Sequence, residues 1–380
     1  MYARFISSVN LIDSNTWNQV CGVDYPFLRH EFFSALENSG STIAETGWGP
    51  HHLVIEDNEQ IIGIMPLFIK THSYGEYVFD WSWADAYHQH GIAYYPKLLS
   101  AIPFTPATGP RWGICDTVDH DYVLTFMLQS IVDQCEQQHY SSFHVLFTST
   151  EDSRRLQTQS LATRTGCQYH WFNQDYQHFD DFLSTFNSRK RKNLKKERRK
   201  VTEQGISLTI KTGSEITAKD WDNFYLFYHM TYIKRSGREG YLTPEFFPML
   251  ATTMADQLVL IQAQQGDKAI AAALCFQSSD TLYGRYWGCQ QEFDFLHFET
   301  CYYQGIEYAI EKNLAYFDPG AQGEHKIQRG FTPIKTYSNH WIGHLQFRDA
   351  VNRFLDNEHQ HIDEHINEMH SLLPFKHSDN

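Results

Sequence analysis

The stretch Leu282-Tyr-Gly-Arg-Tyr-Trp-Gly288, with Phe317-Asp-Pro-Gly320 closing behind it, decides the fold class. In the first segment Tyr283, Arg285 and Trp287 alternate with glycines and Tyr286, the period of two that marks a strand. The second ends a short apolar run on Asp-Pro-Gly, which must turn. Between them Phe298, Cys301, Tyr302, Gly305, Ala309 and Ile310 recur at helical spacing, leaving Glu299, Tyr303 and Glu307 on the opposite or flanking stripe. Upstream, the apolar runs 258–263 and 269–276 read as a hairpin. The pattern is mixed α/β (α+β) with mixed sheets.

The first half carries a related order. Residues 27–39 read as a helix, 52–55 and 60–68 as a hairpin, 75–83 as an aromatic strand and 91–99 as a helical segment closing on Phe104-Thr-Pro-Ala-Thr-Gly109. Tyr94-Tyr95 then answers Tyr302-Tyr303, and Phe104-x-Pro106 answers Phe317-x-Pro319. A repeat of this length suggests a duplicated domain, and 380 residues exceed what one core usually serves. The expected domains are 1–175 and 176–380. The second opens on a basic helix, 188–201, and ends on an acidic amphipathic helix, 349–372, carrying Val351, Leu355, Ile362, Ile366 and Met369 on one face.

Net charge is −14, yet residues 188–200 hold nine basic side chains and one acid, leaving the remainder at −22. Such a stripe can bind phosphate without reading sequence. The acidic body and the lack of a zinc-finger or RNP pattern argue against DNA and generic RNA, so Arg191 and Lys195 are read as a local anion site for a cofactor or substrate phosphate. The N-terminus lacks the basic start and apolar stretch of a secretory signal, and the longest apolar run, 269–276, is too short to span a bilayer. Seven scattered cysteines without C-x-x-C fit neither a disulfide framework nor a zinc ribbon. A cytoplasmic protein without membrane insertion is expected. His361 and His365 stand four apart on a helix, but there is no H-E-x-x-H, and no metal is expected. There is also no G-x-S-x-G elbow of a serine hydrolase.

Chemistry concentrates in Phe317-Asp-Pro-Gly-Ala-Gln-Gly-Glu-His-Lys326 and its continuation Ile-Gln-Arg-Gly-Phe331. A turn with Gly320 and Gly323 can aim backbone N–H groups into one concavity for an oxyanion or phosphate. Glu324 and His325 follow as candidate general bases, and Lys326 as an anion contact. Arg285, in mid-strand among aromatic residues, needs a carboxylate or an anionic ligand, and Glu299 or Glu324 could supply it. Glu299 and Tyr303 are read as substrate contacts, and Tyr286, Trp287, His297, Gln322 and Arg329 complete the expected substrate rim.

His72-Ser-Tyr-Gly-Glu-Tyr-Val-Phe-Asp-Trp-Ser-Trp-Ala-Asp-Ala-Tyr87, Tyr94-Tyr-Pro-Lys97, Tyr283-Gly-Arg-Tyr-Trp-Gly288, Leu296-His-Phe-Glu-Thr-Cys-Tyr-Tyr-Gln-Gly-Ile-Glu307 and the 317–326 motif resemble the bacterial N-acyltransferases labelled peptidoglycan biosynthesis/recognition, which are related to FemAB and GNAT proteins. The resemblance implies two tandem GNAT-like domains and direct transfer of an acyl group from a small-molecule donor to an amine acceptor. A catalytically silent recognition module is the alternative. No permanently bound cofactor is implied, and acyl-CoA can serve as co-substrate. Residues 290–299, where GNAT enzymes bind the acetyl-CoA pyrophosphate on glycines, contain none. That departure leaves an aminoacyl-tRNA open as donor, the one role in which tRNA is expected.

Overall fold

The computed structural model describes residues 1–321 and 323–376. Its chain forms two compact units, residues 1–167 with 335–364, and residues 168–334 with the stretch from 365 onward. The sequence reading placed a single cut at 175/176. Residues 335–364 fold with the first unit because strand Thr332–Ile342, from Tyr337 onward, pairs antiparallel with Ser142–Thr148. Val351 and Leu355 of helix Leu345–Ser371 also join the Trp83, Tyr87 and Tyr94 cluster.

In the second unit Ile206–Thr212, Leu258–Gln265, Lys268–Gln277 and Thr281–Cys289 form an antiparallel ladder. Tyr316–Asp318 then pairs parallel with the last of these. Residues 258–263 and 270–276 are buried without alternation, as expected of strands covered on both faces. One cover is helix Ala218–Ser236, whose N-terminus is capped by Thr217, with Asp220 completing a capping box. It lies so close to the sheet that a Cβ on Gly288 would sit 2.1 Å from the Phe227 carbonyl carbon and 2.3 Å from the Tyr228 nitrogen.

The first unit has a four-stranded sheet, ordered Tyr2–Ile6, His52–Asp57, Gln60–Met65, Gly113–Ile114. In its other sheet Trp48–Pro50, Phe68–Lys70 and Lys97–Ser100 run antiparallel, and Lys97–Ser100 pairs parallel with Ser142–Thr148. The intervening helix is His120–Gln138. Each unit therefore has a strand, a helix and a parallel neighbour in that order, namely Lys97–Ser100, His120–Gln138 and Ser142–Thr148 in one and Thr281–Cys289, 296–311 and Tyr316–Asp318 in the other.

This differs from the register read in the sequence. Residues 75–83 are not a strand: Glu76 and Asp80 turn inward to the buried Lys97 ammonium, and helix Trp81–Gln89 starts there. Nor are residues 91–99 helical. Pro96, which has no N–H and disfavours helix before it, leads directly into the strand at Lys97. Phe104-x-Pro106 consequently precedes the crossover helix, whereas Phe317-x-Pro319 follows its own.

Gly288→Ala is expected to destabilise the protein by about 3 kcal/mol or more, because backbone rather than a movable side chain meets the added methyl. Chemical denaturation followed by circular dichroism measures it.

Candidate active site

The second unit's site is built around a β-bulge. Pairing steps from Leu274↔Tyr286 to Cys275↔Gly284, leaving Arg285 as the extra residue. Its guanidinium meets Asp318 at the end of the parallel strand, Nη2 to Oδ2 at 2.5 Å and Nη1 to Oδ1 at 3.3 Å, and both side chains are 1% exposed. The partner is thus Asp318, not Glu299 or Glu324. Burial alone would raise the Asp318 pKa, but Arg285 and His170, whose Nε2 lies 3.5 Å from Oδ1, hold it down at about 2.

Asp318 also fixes the turn. Its Oδ1 accepts the Gly320 N–H at 2.9 Å, and the Gly320 carbonyl accepts from the Lys326 ammonium at 2.5 Å. The Gly320 N–H therefore points inward to a carboxylate, and Lys326, buried at 1% exposure, holds the turn from inside. Burial lowers the Lys326 pKa to about 7, with Asp318 pulling the other way. Gln322 lies outside the described residues.

The short helix Glu324–Arg329 leaves Glu324 and His325 at the surface and buries Lys326, Ile327 and Arg329. His325 Nε2 lies 2.9 Å from the Tyr302 hydroxyl, and its ring packs on Phe298 and His297. That packing, with Arg329 and Lys326 nearby, lowers its pKa to about 4, so the imidazole is neutral at pH 7. A Cβ on Gly323 would fall 2.3 Å from His325 Cε1; at φ +115° a glycine is what lets the ring fold against its own turn. His297, between Trp287 and Tyr302, is lowered to about 3 by burial and by His325. Tyr286 packs instead into the core against Tyr228, Phe247 and Phe276.

The other expected residues go elsewhere. Residues Glu299–Tyr303 form a π-turn, and such turns are frequent at functional sites. It buries Glu299 and Tyr303, which a regular helix would have left on the flanking stripe. Glu299 and Glu307 share Arg198 of helix Ser188–Glu203, with Nη2 to Glu299 at 2.8 Å and Nη1 to Glu307 at 2.7 Å. The Tyr303 hydroxyl donates to Glu197, and Arg329 Nη2 reaches the same carboxylate at 2.9 Å while its guanidinium lies 3.4 Å from the Phe298 ring centre. The expected residues therefore separate into a buried Arg285 and Lys326 group, a surface His325 group, and a group on the basic helix. Arg285, Arg198 and Arg329 are each paired with a carboxylate, whereas the buried Lys326 is held by the Gly320 carbonyl. Asp318, Arg198, Glu197 and His170 were missed as site residues. Glu197 had a signal, being the one acid in the basic stripe.

The basic helix lines an open groove of about 780 Å³ with Phe179, Asp180, Glu299, Gln304 and Glu307. Lys195 lines it and pairs with Asp180 at 3.1 Å; Arg191 is not among its lining residues. Among the described residues no three His, Cys, Asp or Glu side chains converge as metal ligands, and no helix is long and apolar enough to cross a membrane.

Residues 8–377 match the family described as FemAB-like, peptidoglycan biosynthesis/recognition. The chain belongs to the FemAB-like family. No curated protein is a significant match to it. Its fold is similar to that of FemX, with TM-score 0.52 and 11% identity over 93% of this chain and all of that one. It is also similar to the C-terminal domain of a putative lysylphosphatidylglycerol synthetase from Agrobacterium fabrum, with TM-score 0.53 and 9% identity over 92% of this chain and 96% of that one. At such identities the likeness is one of fold, the mixed α/β architecture expected from the sequence.

Two outcomes follow for this FemAB-like chain. Asp318→Asn keeps the volume but strands the Arg285 charge in the interior, and should cost about 3–5 kcal/mol in chemical denaturation. The Lys326 pKa lies at about 7 when folded against 10.5 as the reference, so between these values the unfolded chain binds the extra proton and this group's contribution to stability rises with pH. Lys326→Met should flatten that rise, read from unfolding midpoints at pH 7 and pH 10.

Proposed function

We propose that this protein transfers an acyl or aminoacyl group from an activated donor, an acyl-CoA or an aminoacyl-tRNA, to the amine of a cell-wall precursor or small metabolite. The proposed site is the edge of the second unit where strand Tyr316–Asp318 ends beside Tyr283 of its parallel neighbour, next to the bulge at Arg285. Open α/β sheets bind ligands beyond the carboxyl ends of parallel strands. Membership of a family described as peptidoglycan biosynthesis/recognition supports the substrate class.

The observation that carries the reading is the neutral, surface-facing His325 with its Nε2 2.9 Å from the Tyr302 hydroxyl. When Nε2–H donates to the tyrosine oxygen, Nδ1 is the acceptor nitrogen and the tyrosine proton can turn to a carbonyl oxygen. An amine nitrogen that has attacked a thioester or ester carbonyl is far more acidic than a free ammonium, so a weak base suffices to take its proton. The Tyr302 hydroxyl then stabilises the developing oxyanion. Glu324, exposed one residue before His325, is the second proton acceptor at this rim. Lys195 at the groove of the basic helix is the proposed contact for a donor phosphate.

A second reading is favoured by one specific feature. Arg285, Arg198 and Arg329 are each already neutralised by carboxylates, as suits a module that recognises a ligand without transforming it.

The two readings separate in one experiment. Wild-type protein is incubated with acyl-CoA or aminoacyl-tRNA and an amine-bearing muropeptide, and products are identified by mass spectrometry. For an enzyme, His325→Ala should lower turnover by about 10²-fold or more, and Tyr302→Phe by about 10-fold, with unchanged unfolding midpoints. Because His325 is neutral above pH of about 4, its ionisation should leave the rate flat between pH 6 and 8. Ligand binding without product from any donor would select the recognition module.

A further inference from the structure

Strand Ile206–Thr212 closes the second unit's sheet on one side. It pairs antiparallel with Leu258–Gln265, from Ile206↔Gln265 to Thr212↔Val259, and among the described residues no strand pairs with its other edge. The ladder shows which of its backbone groups look outward. The Gln290 N–H donates to the Ile270 carbonyl at 2.8 Å, so the even residues of Lys268–Gln277 next to it bond toward Thr281–Cys289. Ala271 and Ala273 then bond toward Ala263 and Ile261, and Leu260 and Gln262 are turned to Lys211 and Thr209. That leaves the N–H and C=O of Leu208 and Ile210 pointing away from the sheet. The Thr212 N–H, on the same side, is taken by Glu215 at 2.9 Å.

Proteins usually blunt such an edge, with short strands, proline, bulges or a free charge. The chain's other sheet-edge strands are shorter: Tyr2–Ile6, Trp48–Pro50 and Gly113–Ile114 have five, three and two residues, and the second of them carries a proline. Ile206–Thr212 has seven, with no proline and no register shift against its neighbour. Its one charge, Lys211, is bound to Asp220 at 2.8 Å and does not guard the edge.

The edge is complementary to itself. Turned antiparallel about a two-fold axis at Thr209, a second copy sets Leu208 against Ile210 as hydrogen-bonded pairs on both sides of the axis, with their apolar side chains on one face. Ser207 then meets Lys211, and Thr209 meets Thr209, so no like charges are opposed. The ends match in charge as well. Lys200, in the last turn of the basic helix just before Ile206, comes toward the Glu215 turn that follows Thr212 in the other copy. We infer that this edge is a homodimer interface, in which two copies join through Ile206–Thr212 into one continuous sheet. Ile206, Ser207 and Leu208 also line the groove of the basic helix, so the added strand borders the groove that holds Lys195. The inference rests on the second unit's free edge and not on acyl transfer at His325.

Sedimentation velocity of the full-length protein over about 1 to 100 μM tests it. Wild type should pass from monomer to dimer as concentration rises. Thr209→Lys and Thr209→Asp each set like charges face to face at the axis and should weaken the dimer about 5-fold or more. Thr209 is exposed, so unfolding midpoints should match wild type. Mixed in equal amounts, the two variants should form a heterodimer, because lysine then faces aspartate. Leu208→Pro removes an outward N–H while sparing the ladder to Leu258–Gln265, and should dissociate the dimer too. A wild type that stays monomeric throughout would overturn the proposal. So would a dimer that Thr209→Lys leaves intact, or charge variants whose dissociation mixing does not reverse.

Discussion

Arg285 pressed against Asp318 is the constraint on which the turn after the second unit's parallel strand depends. A guanidinium with 1% exposure is costly to leave alone, and it is satisfied here by the end of the parallel strand, brought to the bulge. Once Asp318 is in place, its free lone pairs take the Gly320 N–H, Gly320 takes the Lys326 ammonium, and the short helix bearing His325 starts from a fixed point. The pair is weak evidence for net stability, because desolvation offsets much of its attraction. What it provides is position: removing either member would release the turn.

The first unit uses related physics. Lys97 stands on the strand before its crossover helix, as Arg285 does, and is likewise buried against an aspartate, Asp80. There the acids come from a loop rather than from the parallel strand. Asp80 also accepts from the Tyr94 hydroxyl, which approaches His144 Nε2 at 3.3 Å, and His144 Nδ1 lies within hydrogen-bond distance of His340 Nδ1, at 2.6 Å. Burial holds both histidines neutral. In this unit the interior charge organises a surface loop, and in the other it organises a turn.

Charge on the basic helix has been divided between two tasks. Arg198 and Glu197 face inward and tie the helix to the π-turn and to Arg329. Lys192, Lys196 and Arg199 face solvent, and Lys195 lines the groove. A stripe that reads as uniformly cationic is thus partly a structural clasp.

The sequence by itself determined the class of fold, the second hairpin, the aromatic strand at 282–288, and the presence of the basic helix and the C-terminal helix. Those follow from local period and turn chemistry, in which each residue constrains its neighbours. It also contained the burial problem of Arg285, though not its solution. Only the tertiary structure decided that Asp318 is the partner, that a bulge rather than simple alternation aims Arg285, and that a π-turn moves Glu299 and Tyr303 from the flank to the interior. It alone decided that residues 75–83 form a loop drawn in by Lys97, and that residues 335–364 return to the first unit. The physical reason is common to all of these. Pairing of buried charges and of distant strands is settled by which counter-charge or edge lies near in space, and residues separated by 33 positions, as Arg285 and Asp318 are, carry no local period that reveals it.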